Sequence, residues 1–121
     1  MNKHDLEERL INFSVLIIQI ADEMPGKKAA QHLTGQLIRS GTSPALNYGE
    51  AQSAESRKDF VHKIKIILKE LRETHICLKI IKRAELFEVN SKIEQAINEN
   101  NELISIFVKS VETARKRMNE L

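Results

Sequence analysis

Residues 57–83, RKDFVHKIKIILKELRETHICLKIIKR, decide the fold. Phe60, Ile64, Ile67, Leu68, Leu71, Leu78 and Ile81 recur at helical spacing along one face. Neither Gly nor Pro interrupts the run, and Ser56 stands where an N-cap belongs. The pattern predicts one unbroken helix over 57–83, about 40 Å long at 1.5 Å per residue. A helix of that length buries its apolar face only against others of similar length.

The flanking sequence supplies them. Leu6, Leu10, Phe13, Ile17, Ile20 and Met24 step by three and four, and Met24-Pro25-Gly26 ends that helix. A second helical stretch starts near Lys27 with Ala30, Leu33 and Leu37 on one side, then meets Ser40-Gly41-Thr42-Ser43-Pro44. Two outcomes are expected there: a kink at Pro44, or a new helix with Ser43 as N-cap. The small residues at 40, 41, 43 and 45 admit a close neighbour. Ser53 to Ser56 reads as a short turn. Asn90-Ser91 opens a fourth helix with Ile93, Ile97, Ile104, Phe107, Val111, Ala114 and Met118 inward. Short connections between long helices favour antiparallel neighbours. The expected fold is all-α, an antiparallel up-down-up-down four-helix bundle, as one domain over 1–121.

Composition agrees. Among 121 residues, 41% are hydrophobic, 30% charged and 4% aromatic, with four Gly and two Pro, too few turn formers for a sandwich or barrel. The single cysteine, Cys77, excludes an internal disulfide and fits a reducing compartment. Residues 1–8 are polar and mixed in charge, unlike a targeting segment. The uncharged stretch Leu10 to Ala21 is too short to span a bilayer. A cytoplasmic location without a membrane partner is expected.

Charge is uneven. Residues 57–83 hold nine basic and three acidic side chains, a net +6 against +2 for the whole chain, which leaves −4 elsewhere. Lys58, Lys65, Arg72 and Lys79 recur every seven residues, with Lys69 one turn from two of them. That spacing drifts only about 20° per repeat on a helix, so the five form a nearly straight ridge. A line of one sign suits a polyanion backbone. Aromatic side chains are too few for a base-stacking platform. Beside the ridge run Ile66, Glu70, Glu73, Cys77 and Ile80, and Ile11, Val15 and Ile18 lie off the core stripe of the first helix. Apolar side chains on a second face point to an oligomer interface formed by Ile11, Val15, Ile18, Ile66, Cys77 and Ile80.

Catalytic patterns are missing. A di-iron bundle needs two Glu-x-x-His pairs and further carboxylates, and the nearest approach is the single Asp59-x-x-His62. His4, His32, His62 and His75 are scattered, and Cys77 lacks a neighbouring base and reads as a small buried hydrophobe. No metal, cofactor, small-molecule substrate or catalytic residue is expected, so the chain does not read as an enzyme. Reflecting antiparallel neighbours about the 53–56 turn brings Arg39 near Glu70, and Glu50 or Asn47 near Lys63, as pairs that set helix register.

The run Arg39-Ser40-Gly41-Thr42-Ser43, then Asn47, Glu50-Ala51, Ala54-Glu55-Ser56 and Asp59-Phe60, followed by Lys69-Glu70 and Glu73-Thr74, carries a resemblance. It closely resembles the small bacterial four helix bundle proteins, also called intervening-sequence proteins because some are encoded within insertions in large ribosomal RNA genes. The likeness covers nearly the whole chain; Ile76 and Cys77 depart from it, standing where relatives place aromatics. It implies a ring, typically a homopentamer, without catalysis. It also implies kinship with the accessory protein of diversity-generating retroelements, a basic barrel resembling a nucleic-acid and reverse-transcriptase adaptor. The resulting expectation is a non-enzymatic oligomer that binds structured RNA through phosphates. The alternative is a protein-interaction scaffold with no nucleic-acid role.

Overall fold

The computed structural model describes residues 1–87 and 90–119. They form α1 (Lys3–Asp22), α2 (Lys28–Gln52), α3 (Arg57–Arg83) and α4 (Asn90–Asn119), with no strand among the described residues. Each boundary has a local cause. At α1, the Asn2 side chain accepts from the Asp5 N–H at 2.9 Å while the Asp5 carboxylate accepts from the Asn2 N–H, a reciprocal capping box. At α3, Ser56 Oγ accepts from the Asp59 N–H at 3.0 Å, and Asp59 adds negative charge where the helix dipole favours it. The far end of α3 closes with Glu85 in the left-handed region (φ 55°). There the N–H of Leu86 reaches the Ile81 carbonyl and that of Glu85 the Lys82 carbonyl, each at 3.1 Å, a Schellman closure made without glycine.

α2 runs unbroken through Pro44, which removes the fresh start at Ser43 as an outcome. The Ser43 hydroxyl accepts from Asn47 Nδ2 at 2.8 Å within the helix rather than capping a new one. Burial explains the continuity. Ala30, Leu37, Ser40, Gly41, Pro44, Tyr48 and Ala51 form one face covered along its whole length. Breaking the helix would turn half of that face away from its neighbours.

Cross-helix pairs show the directions of the chain. Between α2 and α3, Leu33 faces Cys77, Arg39 faces Glu70, and Glu50 faces Lys63. Between α3 and α4, Lys82 meets Glu94 while the Leu71 carbonyl meets Asn100. Between α1 and α4, Arg9 meets Glu99 and Glu23 meets Lys92. Numbers rise on one helix as they fall on the next, so all three seams are antiparallel. With α1 on α2, the four seams close an up-down-up-down bundle. Its centre holds Phe13, Ile17, Leu37, Ile64, Ile67, Leu71, Leu78, Leu103 and Phe107, all at most 2% exposed. Tyr48 meets Phe107 edge to face with ring centroids 5.8 Å apart. On α4 the buried line is Ile93, Ala96, Asn100, Leu103, Phe107 and Val111, so Ile97, Ile104, Ala114 and Met118, expected inward, are only half-buried.

Gly41 sets the α1–α2 spacing. A Cβ there would lie 2.8 Å from both Cγ1 and Cγ2 of Ile17. Gly35 and Gly49, on the same helix, have nothing within 4 Å of that position. Gly41→Ala should therefore destabilise by about 1–3 kcal/mol through overpacking, and Gly35→Ala should stabilise by about 0.5–1 kcal/mol through helix propensity. Urea denaturation of the two variants checks the opposite signs.

Candidate nucleic-acid interface

α3 presents its cations outward because its apolar face is committed to the core. Lys58, Lys65, Lys69 and Arg72 are exposed and Lys79 is half-buried. None of the five has a carboxylate within ion-pair distance among the described residues. The cause lies on α2. Glu73 stands four residues after Lys69, where an intrahelical pair could form, yet it bonds Arg39 instead. Arg39 Nη1 also donates to Glu70 at 3.0 Å, and Nη2 donates to Gln36 at 3.2 Å. One guanidinium thus draws both carboxylates from the middle of α3 into the α2 seam. The outer edge is left cationic.

The other expected polar residues divide. Lys63 Nζ donates to Glu50 at 2.9 Å, and this bond raises the ammonium pKa. Asn47 takes no part: its amide bonds the Ser43 carbonyl and hydroxyl one turn back. Deeper in the seam the Ser40 and Thr74 hydroxyls lie 2.8 Å apart, both fully buried.

The apolar set divides likewise. Ile11, Val15 and Ile18 are exposed by 41%, 46% and 45%, and Ile80 by 45%. Ile66 is half-buried. Cys77, expected at a subunit interface, is instead covered by α2 of its own chain: it is 6% exposed, with Sγ 3.6 Å from the Leu33 carbonyl. Burial, and then the charge of Glu73, push its thiol up to about 11. Exposed residues that the apolar stripes did not single out are Ile38 and Leu46 on α2 and Ile76 on α3.

The end of α4 carries further cations. Lys109, Arg115, Lys116 and Arg117 near the end of α4 are exposed without ion-pair partners among the described residues. Antiparallel packing sets them beside the start of α3, where a groove of about 410 Å³ opens between Phe60 and Lys109, Thr113 and Arg117. Phe60 is half-buried, whereas Phe13, Phe87 and Phe107 are buried. The run of four cations against the single Glu112 over 109–119 was a legible signal.

Among the described residues no three of His, Cys, Asp and Glu gather as a metal-binding group, and no helix is long and apolar enough to cross a membrane. Fold and surface together define an all-α bundle with a cation-rich outer helix. The chain belongs to the family described as 23S rRNA-intervening sequence protein, whose profile matches residues 2–109. It is similar to the crystal structure of a protein of unknown function from the S23 ribosomal protein family of Bacteroides thetaiotaomicron. The identity is 28% and the TM-score 0.83, covering 93% of this chain and 99% of that one. No curated protein matches.

Two measurements test this arrangement. Arg39→Met leaves Glu70 largely buried without its partner, so its melting temperature should fall. Lys63→Met, whose partner Glu50 is exposed, should leave the melting temperature nearly unchanged. At pH 8 Cys77 should resist a thiol-specific reagent in the folded protein and react readily in urea. Its contribution to stability is intact at neutral pH and declines as alkaline pH approaches 11, because the unfolded thiol ionises first.

Proposed function

We propose that the protein is a non-enzymatic, self-associating bundle of the cytoplasm that binds structured RNA through its phosphates. The observation carrying this reading is the set Lys58, Lys65, Lys69, Arg72 and Lys79, five cations on one helix with no carboxylate partner among the described residues. Unpaired like charges repel one another, and a polyanion relieves that repulsion. Contacts to phosphates gain affinity by releasing counterions and select for shape more than for base identity. Membership of a family described by its 23S rRNA intervening sequences points in the same direction.

Self-association is supported by the exposed apolar side chains of Ile11, Val15 and Ile18 on α1 and of Ile38 and Leu46 on α2, since water covers apolar surface poorly. A ring, pentameric by the family resemblance, would repeat the cationic edge once per subunit and multiply a modest affinity.

Binding of a structured RNA across a salt series tests the first claim. Lys65→Gln with Arg72→Gln should flatten the slope of log K against log salt by about two. An unchanged slope removes the edge from the interface, and no binding by the parent chain at physiological salt favours the protein-interaction scaffold. Native mass measurement tests the second claim. The parent should appear as a multiple of the 13.9 kDa chain, and Val15→Glu with Leu46→Glu as a single chain.

A further inference from the structure

Between the C-terminal half of α3 and the first turns of α4 lies a cavity of about 230 Å³ lined by His75, Lys79, Lys82, Arg83 and Ile97. Of its three cations only Lys82 has a carboxylate partner among the described residues, Glu94. Cations gathered around a concavity focus positive potential within it. A separate observation concerns hydrogen bonding. Among the described residues two buried side-chain polar atoms lack a partner, His75 Nδ1 and Asn100 Oδ1. Of these two residues only His75 lines the cavity. A buried polar atom without a partner is costly, and a polar guest is one way to satisfy the His75 nitrogen. Lys82 and Arg83 also complement the dipole of α3 from its last turn. That role explains neither Lys79, one turn earlier, nor the unpartnered imidazole nitrogen.

We propose that this cavity binds a phosphate group. Its oxygens accept from the Lys79 and Lys82 ammonium groups and from the Arg83 guanidinium, whose planar fork suits two oxygens at once. The His75 Nδ1 is buried as the ring stands, and a turn of the ring about Cβ–Cγ would be needed to present Nδ1–H to the same oxygens. The site lies at the Lys79 end of the cationic edge. An RNA source for the phosphate rests on the function proposed above, whereas a free phosphate has the same chemistry without it.

The test is an NMR titration of the full chain, reading the His75 ring and Arg83 Nε signals. The probes are inorganic phosphate, a short RNA hairpin with a 5′-phosphate and the same hairpin with a 5′-hydroxyl. Saturable shifts at both residues are expected, about tenfold weaker in Arg83→Gln and unchanged in Lys3→Gln. Tighter binding of the 5′-phosphorylated hairpin assigns the site to an RNA end, and equal binding of both hairpins to the backbone. A response to inorganic phosphate alone assigns it to free phosphate. No saturable shift with any probe overturns the proposal, as does an undiminished response in an Arg83→Gln variant with a parental circular dichroism spectrum. RNA binding that keeps its salt slope while the pocket signals stay silent removes the pocket and leaves the outer edge of α3 standing.

Discussion

The Arg39 guanidinium organises both sides of α3. It reaches across from α2 to Glu70 and Glu73, so it holds the register of the seam and withdraws negative charge from the helix that carries nine of the nineteen basic residues. Without that withdrawal Glu73 would lie within reach of Lys69, and the outer edge would be an ordinary mixture of signs. The same seam holds the buried Ser40 and Thr74 hydroxyls and the thiol of Cys77. Polar groups placed there favour one register, because a slip would leave each of them unpaired.

Core packing supplies most of the stability and surface charge supplies the character. Each fully buried Leu, Ile or Phe contributes about 1.5–3 kcal/mol; α1, α3 and α4 each bring several, whereas α2 brings only Leu37. That surplus lets α3 keep a row of like charges. The close approach of Ile17 to Gly41 draws α1 and α2 together, while Ile11, Val15 and Ile18 on α1 and Ile38 and Leu46 on α2 stay exposed. The exposed apolar residues of α1 and α2 lie off the helix that carries the cationic edge, while Ile76 and Ile80 adjoin that edge on α3.

The four helices were legible because long amphipathic segments bury one face each, and that requirement writes a period of 3.6 into the residues. The bounds of α3 could be read from Ser56 and the unbroken apolar pattern. Pro44 was ambiguous because a proline removes a hydrogen bond wherever it stands, while only neighbouring helices decide whether the chain tolerates the loss. Cys77 was misplaced for a related reason. Angular position on an isolated helix does not say which flank another helix will cover.

Spacing alone therefore determined the fold class, the extent of α3 and the excess of positive charge along it. These are properties of one segment at a time. Tertiary structure decided which charges are neutralised and which apolar side chains stay exposed. It also brought His75, Lys79, Lys82 and Arg83 around one cavity with Ile97 of α4. Those outcomes depend on contacts between residues far apart in the chain, and periodicity within a helix carries no information about what the neighbouring helix presents.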